Sequence, residues 1–357
     1  MRQRVRQLGI TIGTMRPGPE NAITDVPGVW VGHTTVIRDV PRLVRTGVTV
    51  IVPRQGRIWT DHACAGFHAL SGTGEMTGVH WIVDSGFLTT PIALTNTNQV
   101  GLVRDTLVAY GSERGWTRFS SLPVVGETYD GWLSDLDAFP LTAQDVVRAL
   151  DTAGPGPVEE GNVGGGTGMI CHDFKGGIGT ASRLVSIGGT PYVLGALVQA
   201  NYGDRRTLRV DGVPVGSEIG PEEVPSPWRQ PPPMSSILVL LATDAPLLPQ
   251  QCRRLAERAT IGLARVGGLG LHTSGDLFLA FSTGNSMPAQ PSGPLALTML
   301  PNTDVNLLFE AAAETVEESI LNALCMAETM EGFQGRVARE LPLDRLVEIM
   351  RKYGRLK

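Results

Sequence analysis

The sequence is poor in cysteine and has no long hydrophobic run, and each scarcity argues against a class of protein. Its four cysteines, Cys64, Cys171, Cys252 and Cys325, lie far apart and form no CxxC pair, so a disulfide framework is not predicted. No stretch approaches about 18 consecutive apolar residues, the length expected of a membrane-spanning helix. The amino-terminal stretch has a basic front but lacks the apolar segment of a secretory signal. We therefore expect a cytoplasmic protein with buried, reduced thiols and no membrane partner.

Positive charge is also scarce. The 357 residues include 30 basic and 35 acidic side chains, and no block of lysine or arginine interrupts this balance. Proteins that bind nucleic acid need such a block to neutralise phosphates, so nucleic acid is not an expected partner. The chain is rich in glycine, with 44, and has 25 prolines, a composition typical of a loop-rich but folded protein.

Short apolar runs alternate with turn residues through most of the chain and predict a mixed α/β fold. The predicted strands are GVTVIVP, HWIVDSG, TPIALTN, SSLPVVG, SRLVSIGG, YVLGALVQA, SILVLLAT and residues 276–283. Predicted helices lie around residues 65–75 and at 142–153, 249–265 and 304–330, and Thr142 is the expected N-cap of the second. No internal repeat is evident, and the pattern predicts one α/β body built from two halves.

Residues 203–235 differ from the rest of the chain. They contain seven prolines and several charges, show little periodicity, and end directly before the run SILVLLAT. That run has no polar alternation, which is typical of a strand in the middle of a sheet. The sequence therefore predicts a surface linker that passes into the core within about one residue. Two serines, Ser235 and Ser236, stand at this border.

A serine hydroxyl is a weak nucleophile and needs a base. Neither serine at the border has an obvious histidine partner nearby in the sequence. Another base becomes available to a serine if the preceding peptide bond is cut, namely its own α-amine, with a pKa of about 7.7–8.0. This amine is tethered beside the hydroxyl, which favours proton transfer. A linker followed by a rigid strand suits such a cut, because the sheet would hold the new amino terminus in place.

Three other motifs contain candidate site residues. GETYDG places Glu127 and Tyr129 after an apolar run, where they form either a binding site for a cationic amine or a solvated turn. Asn201 ends a predicted strand, where it serves either as a turn cap or as an amide donor to an oxyanion. Ser274 and Asp276 lie two residues apart where a strand begins, so both side chains project from one face. They form either a polar relay or an ordinary turn.

The glycine-rich stretch NVGGGTGM, residues 162–169, is not a typical nucleotide site. It lacks the Lys-Ser/Thr of a phosphate loop and the G-x-G-x-x-G spacing of a dinucleotide site. A tight turn that another backbone or a substrate approaches closely accounts better for its glycines. The cysteines form no C-x₂₋₄-C pair of the kind typical of a structural zinc site, so neither a cofactor nor a metal is expected.

Several motifs together resemble one known family. The chain is similar to the L-aminopeptidase/D-esterase-amidases and β-peptidyl aminopeptidases, which are self-processing amino-terminal-nucleophile hydrolases. The resemblance covers about residues 8–340 and rests on SILVLLATDAPLLPQQCRRLAERATIGLAR, SGDLFLAFSTGN, GNVGGGTGM, VVGETYDGWLSDLD and ITDVPGVWVGHTTV. It implies a four-layer αββα sandwich, similar to the ornithine acetyltransferase-like fold. It also implies a precursor that cuts itself into chains 1–235 and 236–357, which stay together.

The resemblance also implies roles for individual residues. By motif position these are Ser236 as nucleophile and new amino terminus, Ser274 and Asp276 as a relay, Asn201 as an oxyanion-hole amide, and Glu127 and Tyr129 as pocket residues near the substrate amine. Asp276 stands where the family often has the longer Glu. Ser235 stands where Gly or Asn is common, and its hydroxyl makes it a rival to Ser236. We favour Ser236, because it matches the family's strand register and its 38-residue spacing to Ser274.

The sequence therefore predicts a cofactor-free serine aminopeptidase that acts on small peptides, amides or esters through an acyl-enzyme. It would form a single domain over residues 1–357, with residues 203–235 as the processing linker, and a homo-oligomer is expected. One alternative is an acyltransferase of similar fold, although the ornithine acetyltransferases use a threonine nucleophile. The other is an unprocessed member of the family that binds a ligand without catalysis.

Overall fold

The structure is a computed structural model that describes residues 2–116, 121–227 and 235–356. Its strands are β1 (Trp30–Arg38), β2 (Val44–Val52), β3 (Asp61–Gly72), β4 (Phe87–Leu88), β5 (Ile92–Asn96), β6 (Val124–Thr128), β7 (Ile170–Cys171), β8 (Phe174–Lys175), β9 (Gly177–Ile187), β10 (Thr190–Asn201), β11 (Ser235–Thr243), β12 (Ser274–Pro288), β13 (Met330–Glu331) and β14 (Val337–Ala338). Its helices are α1 (Val79–Ser85), α2 (Val100–Glu113), α3 (Ala143–Asp151), α4 (Val215–Glu218), α5 (Pro249–Glu257), α6 (Ala259–Val266), α7 (Val305–Met326) and α8 (Leu343–Lys352). Within these ranges no helix is long and apolar enough to cross a membrane.

Two sheets form the centre of the molecule. One has four strands in the order β1-β2-β5-β6, and the other has six in the order β4-β3-β12-β11-β10-β9. In the larger sheet β11 and β12 run parallel, and antiparallel neighbours flank this pair on both sides. The central position of β11 explains its uninterrupted apolar run, since both of its faces are buried.

Alternate side chains of β11 enter two different cores. Leu238 belongs to the core between the sheets, together with Ile51 of β2. Ile237 belongs to the core that joins the larger sheet to α5 and α7, where it is grouped with Leu255 and Val316. A third core joins the smaller sheet to α2 and α3. The layers are therefore helix, sheet, sheet and helix, which confirms the predicted αββα sandwich.

Two predicted elements have the wrong type. HWIVDSG, predicted as a strand, forms the short helix α1, which lies between Gly78 and Gly86, both in the left-handed conformation. Residues 65–75, predicted as helical, lie mostly in β3. A side chain at Gly66 would lie 2.1 Å from the backbone nitrogen of Arg253, so β3 uses this glycine to bring α5 against the sheet. Such long-range contacts do not affect the local periodicity of apolar residues, from which the two elements were predicted.

The other predicted helices occur with small changes of boundary. The helix predicted over residues 142–153 is α3, and the carboxylate of Asp145 accepts a hydrogen bond from the Thr142 backbone nitrogen at 2.9 Å. The helix predicted over residues 249–265 is interrupted at Arg258, which divides it into α5 and α6. The pattern of apolar residues therefore identified these segments correctly, and side-chain caps and local bends set their ends.

Residues 203–227 are more ordered than their low periodicity predicts. Leu208, Val210 and Val213 are buried, and they belong to the same core as Ile237. An isolated bridge between Val210 and Val213 closes a tight turn. Turns and irregular backbone bury these side chains, which is why neither helical nor strand periodicity reveals them. The remainder of the predicted linker before Ser235, residues 228–234, lies outside the described residues.

Candidate active site

Three strands of the larger sheet bring the predicted site residues together. In the parallel pairing of β11 with β12, Ser235 lies opposite Ser274 and Ser236 lies opposite Gly275. In the antiparallel pairing of β11 with β10, Ser236 lies opposite Asn201. The sheet register therefore places both serines of the border, Asn201 and the SGD motif beside one another at one end of the central strand pair.

Ser274 and Asp276 form a hydrogen-bonded pair. The Ser274 hydroxyl donates to Asp276 Oδ1 over 2.6 Å, and both side chains are buried. Burial raises the pKa of Asp276 to about 6, although hydrogen bonds from Ser274 and from the Ile237 backbone oppose the rise. The Ser235 hydroxyl donates to Ser274 Oγ over 3.0 Å. The Ser274–Asp276 pair is therefore joined to the hydroxyl of Ser235, not to that of Ser236.

The hydroxyl of Ser236 contacts the peptide bond that precedes it. Ser236 Oγ donates to the carbonyl oxygen of Ser235 over 2.7 Å. Cleavage of this same peptide bond would release the α-amine of Ser236. A side chain at Gly275 would lie 3.0 Å from Ser236 Oγ, so the glycine keeps the space beside the hydroxyl open. The Ser236 hydroxyl therefore lies beside the peptide bond that precedes it, with free space next to it.

The side-chain amide of Asn201 is held at both ends. Its Oδ1 accepts a hydrogen bond from the Ile170 backbone nitrogen at 2.8 Å, and its Nδ2 donates to the Tyr129 carbonyl oxygen at 3.0 Å. An amide nitrogen carries two hydrogens, so one remains for a further acceptor. Since Asn201 pairs with Ser236 across the two strands, this hydrogen can serve an oxyanion formed at the serine.

The glycine-rich stretch is a tight turn that leads into the Asn201 contact. Gly164–Gly166 form a single turn of 3-10 helix. A side chain at Gly166 would lie 2.4 Å from the backbone nitrogen of Ile178. The close approach of another backbone therefore explains these glycines, as the sequence predicts. The turn continues to Ile170, whose backbone nitrogen orients Asn201.

Glu127 is the residue before the last one of strand β6, and its carboxylate is buried. It accepts hydrogen bonds from the Glu75 backbone nitrogen at 3.0 Å and from the Thr97 hydroxyl. Burial raises the pKa of Glu127, whereas these two hydrogen bonds lower it, and the neighbouring carboxylate of Glu75 adds a further small rise. An ammonium group placed beside Glu127 would therefore relieve both the burial of its charge and the repulsion from Glu75.

Two glycines separate Glu127 from the nucleophile. A side chain at Gly74 would lie 3.3 Å from Glu127 Oε1 and 3.2 Å from the Cα of Gly275. Gly275 in turn borders Ser236 Oγ, as described above. Gly74 and Gly275 therefore link Glu127 to Ser236 through successive close contacts. Sequence reasoning missed Gly74 and Gly275 as site residues, and their signal is the pair of small motifs SGTG and SGD.

Tyr129 joins the site through its backbone. Its carbonyl oxygen accepts the hydrogen bond from Asn201 Nδ2. A side chain at Gly131 would lie 2.6 Å from Cζ of the Tyr129 ring, so the ring lies over this glycine. Burial raises the pKa of the Tyr129 phenol. The predicted contact of the ring with substrate stays a prediction.

The assembled groups have the composition of an acyl-transfer site. They comprise a hydroxyl beside a carbonyl, a fixed amide donor, a serine-carboxylate pair and a separate buried carboxylate. Among the described residues no group of three or more His, Cys, Asp or Glu side chains is arranged to hold a metal ion. The arrangement fits attack by a serine on a carbonyl carbon of a substrate that carries a positive charge nearby.

Comparisons with known proteins agree with this chemistry. The sequence profile of Peptidase family S58 matches residues 21–338. The β-peptidyl aminopeptidase BapA of Sphingosinicella microcystinivorans is 43% identical, over 99% of this chain and 93% of that protein. The solved structure of a Burkholderia sp. β-aminopeptidase is 51% identical, with a TM-score of 0.92 and 99% of both chains covered.

A second solved structure relates the fold to a reaction type. The L-aminopeptidase D-Ala-esterase/amidase of Ochrobactrum anthropi is 43% identical, with a TM-score of 0.92 and 99% of both chains covered. It is described as a prototype for the serine aminopeptidases and as a variant of the Ntn hydrolase fold. These matches extend over nearly the whole chain and include every strand of both sheets. The chain therefore belongs to peptidase family S58, which confirms the resemblance seen in its sequence.

Proposed function

We propose that this chain is a self-processing serine aminopeptidase that releases an amino-terminal residue from small peptides, amides or esters. The observation that carries the proposal is the 2.7 Å contact between Ser236 Oγ and the carbonyl oxygen of Ser235. It joins the candidate nucleophile to the one bond whose cleavage would supply that nucleophile with a base. The membership in family S58 and the aminopeptidase relatives support the same reaction.

Processing begins when Ser236 Oγ attacks the carbonyl carbon of Ser235. The new C–Oγ bond replaces the C–N bond, and the hydroxyl proton moves to the departing nitrogen. Water then hydrolyses the resulting ester, which leaves Ser235 as the carboxyl terminus of chain 1–235. Chain 236–357 begins with Ser236 and carries a free α-amine. Strands β10 and β12 pair with β11 on both sides, so the new amino terminus stays where it was formed.

In turnover the α-amine of Ser236 is the base. Its ordinary pKa of about 7.7–8.0 suits it to accept the hydroxyl proton near neutral pH, and Oγ then forms an acyl-enzyme with the substrate carbonyl. Asn201 donates to the oxyanion, an interaction of about 2.7–4 kcal/mol in comparable sites. Departure of Ser235 leaves Ser274 Oγ free to accept a hydrogen bond from the new amine, while the Ser274 hydroxyl continues to donate to Asp276.

Glu127 binds the free amine of the substrate. A buried carboxylate that is separated from Ser236 by Gly74 and Gly275 favours an ammonium group on the substrate near the scissile carbonyl. The relatives are named for β-peptides and for L-aminopeptidase and D-Ala-esterase/amidase activity. We therefore include amides and esters whose amine lies one or two carbons from the carbonyl among the proposed substrates.

The test compares substrates that differ only in their amine. Release of p-nitroaniline is measured from aminoacyl p-nitroanilides with an α-amine or a β-amine, and from the same compounds after acetylation of the amine. We expect turnover of the free amines and little turnover of the blocked compounds. Equal rates on blocked and free compounds would contradict the aminopeptidase proposal.

The cellular location and the oligomeric state are proposed on separate grounds. All four cysteines are free and buried, which supports the cytoplasmic location that we propose, because thiols stay reduced there. A homo-oligomer stays a prediction from the sequence, and size-exclusion chromatography with light scattering measures it directly.

A further inference from the structure

Lys175 is a fully buried lysine in the hairpin that follows the glycine turn. The hairpin consists of β7 and β8, and its pairing places Lys175 opposite Ile170. The two residues of its turn, His172 and Asp173, have φ angles of 49° and 64°, which is the left-handed geometry of a tight two-residue turn. The short turn fixes the register and so directs the lysine into the protein.

Three backbone carbonyls surround the amine of Lys175. Its Nζ donates to Met169 and to Gly176 at 2.8 Å each and to Gly166 at 3.4 Å. An ammonium group has three hydrogens, so each carbonyl receives one. Burial lowers the pKa of Lys175 to about 7. These carbonyls compensate for burial of the charge by hydrogen bonding.

One of these carbonyls belongs to the peptide group that orients Asn201. The Met169–Ile170 peptide accepts from Lys175 Nζ at its oxygen and donates from its nitrogen to Asn201 Oδ1, each over 2.8 Å. A peptide group is planar and polarisable along this direction. Lys175, the peptide and the Asn201 amide therefore form one continuous chain of hydrogen bonds that leads from the lysine amine toward Ser236.

We propose that Lys175 is a positioning residue, which orients and polarises the Asn201 amide through the Met169–Ile170 peptide and so strengthens its hydrogen bond to the oxyanion. The inference rests on the proposed function, in which Asn201 is the oxyanion donor. Hydrogen bonds that follow one another in a chain strengthen each other, and the first of them is strongest while the Lys175 amine carries its charge. The lysine thus acts on the reaction without touching the substrate.

A purely structural role for Lys175 would have a different signature. If the lysine only stabilised the hairpin, its loss would lower stability and the amount of active enzyme, whatever residue occupied position 201. If it acts through Asn201, its loss matters only while Asn201 is present. A double-mutant cycle between the two positions separates these cases.

The experiment measures turnover of a free-amine p-nitroanilide by processed enzyme, per mole of Ser236 amino terminus, in wild type, Lys175→Met, Asn201→Ala and the double variant. Lys175→Gln, which keeps a neutral donor, is the second variant in case Lys175→Met does not fold. Lys352→Met is the control, because that lysine is exposed and pairs with Glu218 on the surface. The melting temperature of each protein is recorded in parallel.

We expect Asn201→Ala to lower kcat by about a hundredfold or more. Lys175→Met should lower kcat by roughly tenfold with little change in KM. In the Asn201→Ala background the same substitution should lower kcat by less than about twofold, because the effects of two residues in one hydrogen-bond network are not additive. An aminoalkyl boronic acid, which forms a tetrahedral adduct with the serine, should also bind about tenfold more weakly to Lys175→Met.

Two results would overturn the inference while leaving the proposed function intact. One is an equal fold-loss from Lys175→Met in both backgrounds, and the other is a loss confined to KM with boronate binding unchanged. Absence of turnover by the processed wild-type enzyme would instead overturn the proposed function, and the inference with it. The control Lys352→Met should retain the wild-type kcat in every case.

Discussion

At the scale of single residues, two adjacent serines contact different groups. The Ser235 hydroxyl donates to Ser274, whereas the Ser236 hydroxyl donates to the carbonyl of the bond that precedes it. The contact with Ser274 therefore favours Ser235 as the nucleophile, whereas the contact with the scissile bond favours Ser236. The proposed cleavage would resolve this difference, because Ser235 would leave with the upstream chain and Ser236 would keep a free amine beside Ser274.

The first prediction separates the two serines. Ser236→Ala should give an intact, folded and inactive precursor, because the substitution removes the hydroxyl that contacts the carbonyl of residue 235 and also the proposed nucleophile of turnover. Ser235→Ala is the matched control and should still be cut before Ser236. Denaturing electrophoresis and the p-nitroanilide assay check both. Turnover by Ser236→Ala at the wild-type rate would place the nucleophile elsewhere.

The second prediction concerns the pH dependence that Asp276 imposes. Its pKa is raised from the ordinary 3.8 to about 6, so the carboxyl is largely protonated at pH 5 and ionised at pH 7. Only the ionised carboxylate accepts the hydrogen bond from the Ser274 hydroxyl without carrying a proton of its own. We therefore expect kcat to fall as pH decreases through about 6, in a profile measured between pH 4.5 and pH 9.

Asp276→Asn should remove this acidic limb and lower kcat at pH 8 by two to three orders of magnitude, about 3 kcal/mol or more. KM should change little, since the pair is proposed to act on the nucleophile rather than to bind substrate. The limb that arises from the α-amine of Ser236 should remain. A loss confined to KM would instead assign Ser274 and Asp276 to binding.

The third prediction concerns the amine site. Glu127→Gln keeps the shape of the side chain but removes the charge that an ammonium pairs with. It should lower kcat/KM for free-amine substrates by roughly tenfold to a thousandfold, since a hydrogen bond to a charged group is worth about 1.5–3 kcal/mol or somewhat more. Acetylated substrates should be no worse with the variant than with wild type. An unchanged kcat/KM for free amines would return Glu127 to a structural role.

At the scale of elements, helix α7 is joined to strand β9 by buried charge. Arg183 is fully buried, and its guanidinium donates to Glu314 and to Glu318 of α7 over 2.7 Å each. Hydrogen bonds from Arg183 and from the backbone of Thr14 hold the pKa of Glu314 below its ordinary value despite burial. The helix therefore contacts the sheet through a charged network as well as through its apolar face.

The fourth prediction is that Arg183→Met strongly destabilises the protein. Removal of one member of a buried ion pair leaves an uncompensated charge, which costs about 3–5 kcal/mol. Asp105→Asn is the control, because its partner pair with Arg104 lies on the surface, and it should leave the melting temperature unchanged. Circular dichroism during urea and thermal unfolding measures both. A free energy of unfolding within about 0.5 kcal/mol of wild type would contradict the prediction.

Local sequence pattern predicts elements well where burial follows it. The apolar run of β11 predicts a central strand, and Thr142 predicts the start of α3. It fails for α1, whose limits are set by left-handed Gly78 and Gly86, and for β3, whose Gly66 is required by contact with a distant helix. These determinants depend on tertiary contacts that no short window of sequence contains.

The residues of the candidate site also fall into two groups, those that local motifs identify and those that only tertiary contacts bring in. Ser236, Ser274 and Asp276 belong to short motifs, and the sequence therefore locates them. Lys175 and Gly74 reach the site only because the chain folds back on itself, one through a hairpin and the other through a loop beside β12. The motif FKGG gives no signal of a role in the site, and SGTG shows only a group of small residues.

At the scale of the whole molecule, the two proposed chains are interleaved. Residues 236–357 supply β11 and β12 in the middle of the larger sheet, and residues 1–235 supply β3 and β4 on one side and β9 and β10 on the other. Arg183 lies in the first chain, whereas its partners Glu314 and Glu318 lie in the second. Cleavage at the border would therefore leave both the sheet and the buried charge network intact, and the chains should elute together from a native size-exclusion column.

The measurement that tests the account most directly is the mass of the purified, active protein under denaturing conditions, combined with amino-terminal sequencing of its fragments. We expect two species that correspond to residues 1–235 and 236–357, and the smaller one should begin with Ser236, because Ser236 contacts the bond before it. A single species of 357 residues in protein that turns over substrate would contradict the account. A smaller chain that begins with Ser235 would contradict it as well, since the relay contact rather than the peptide-bond contact would then identify the nucleophile.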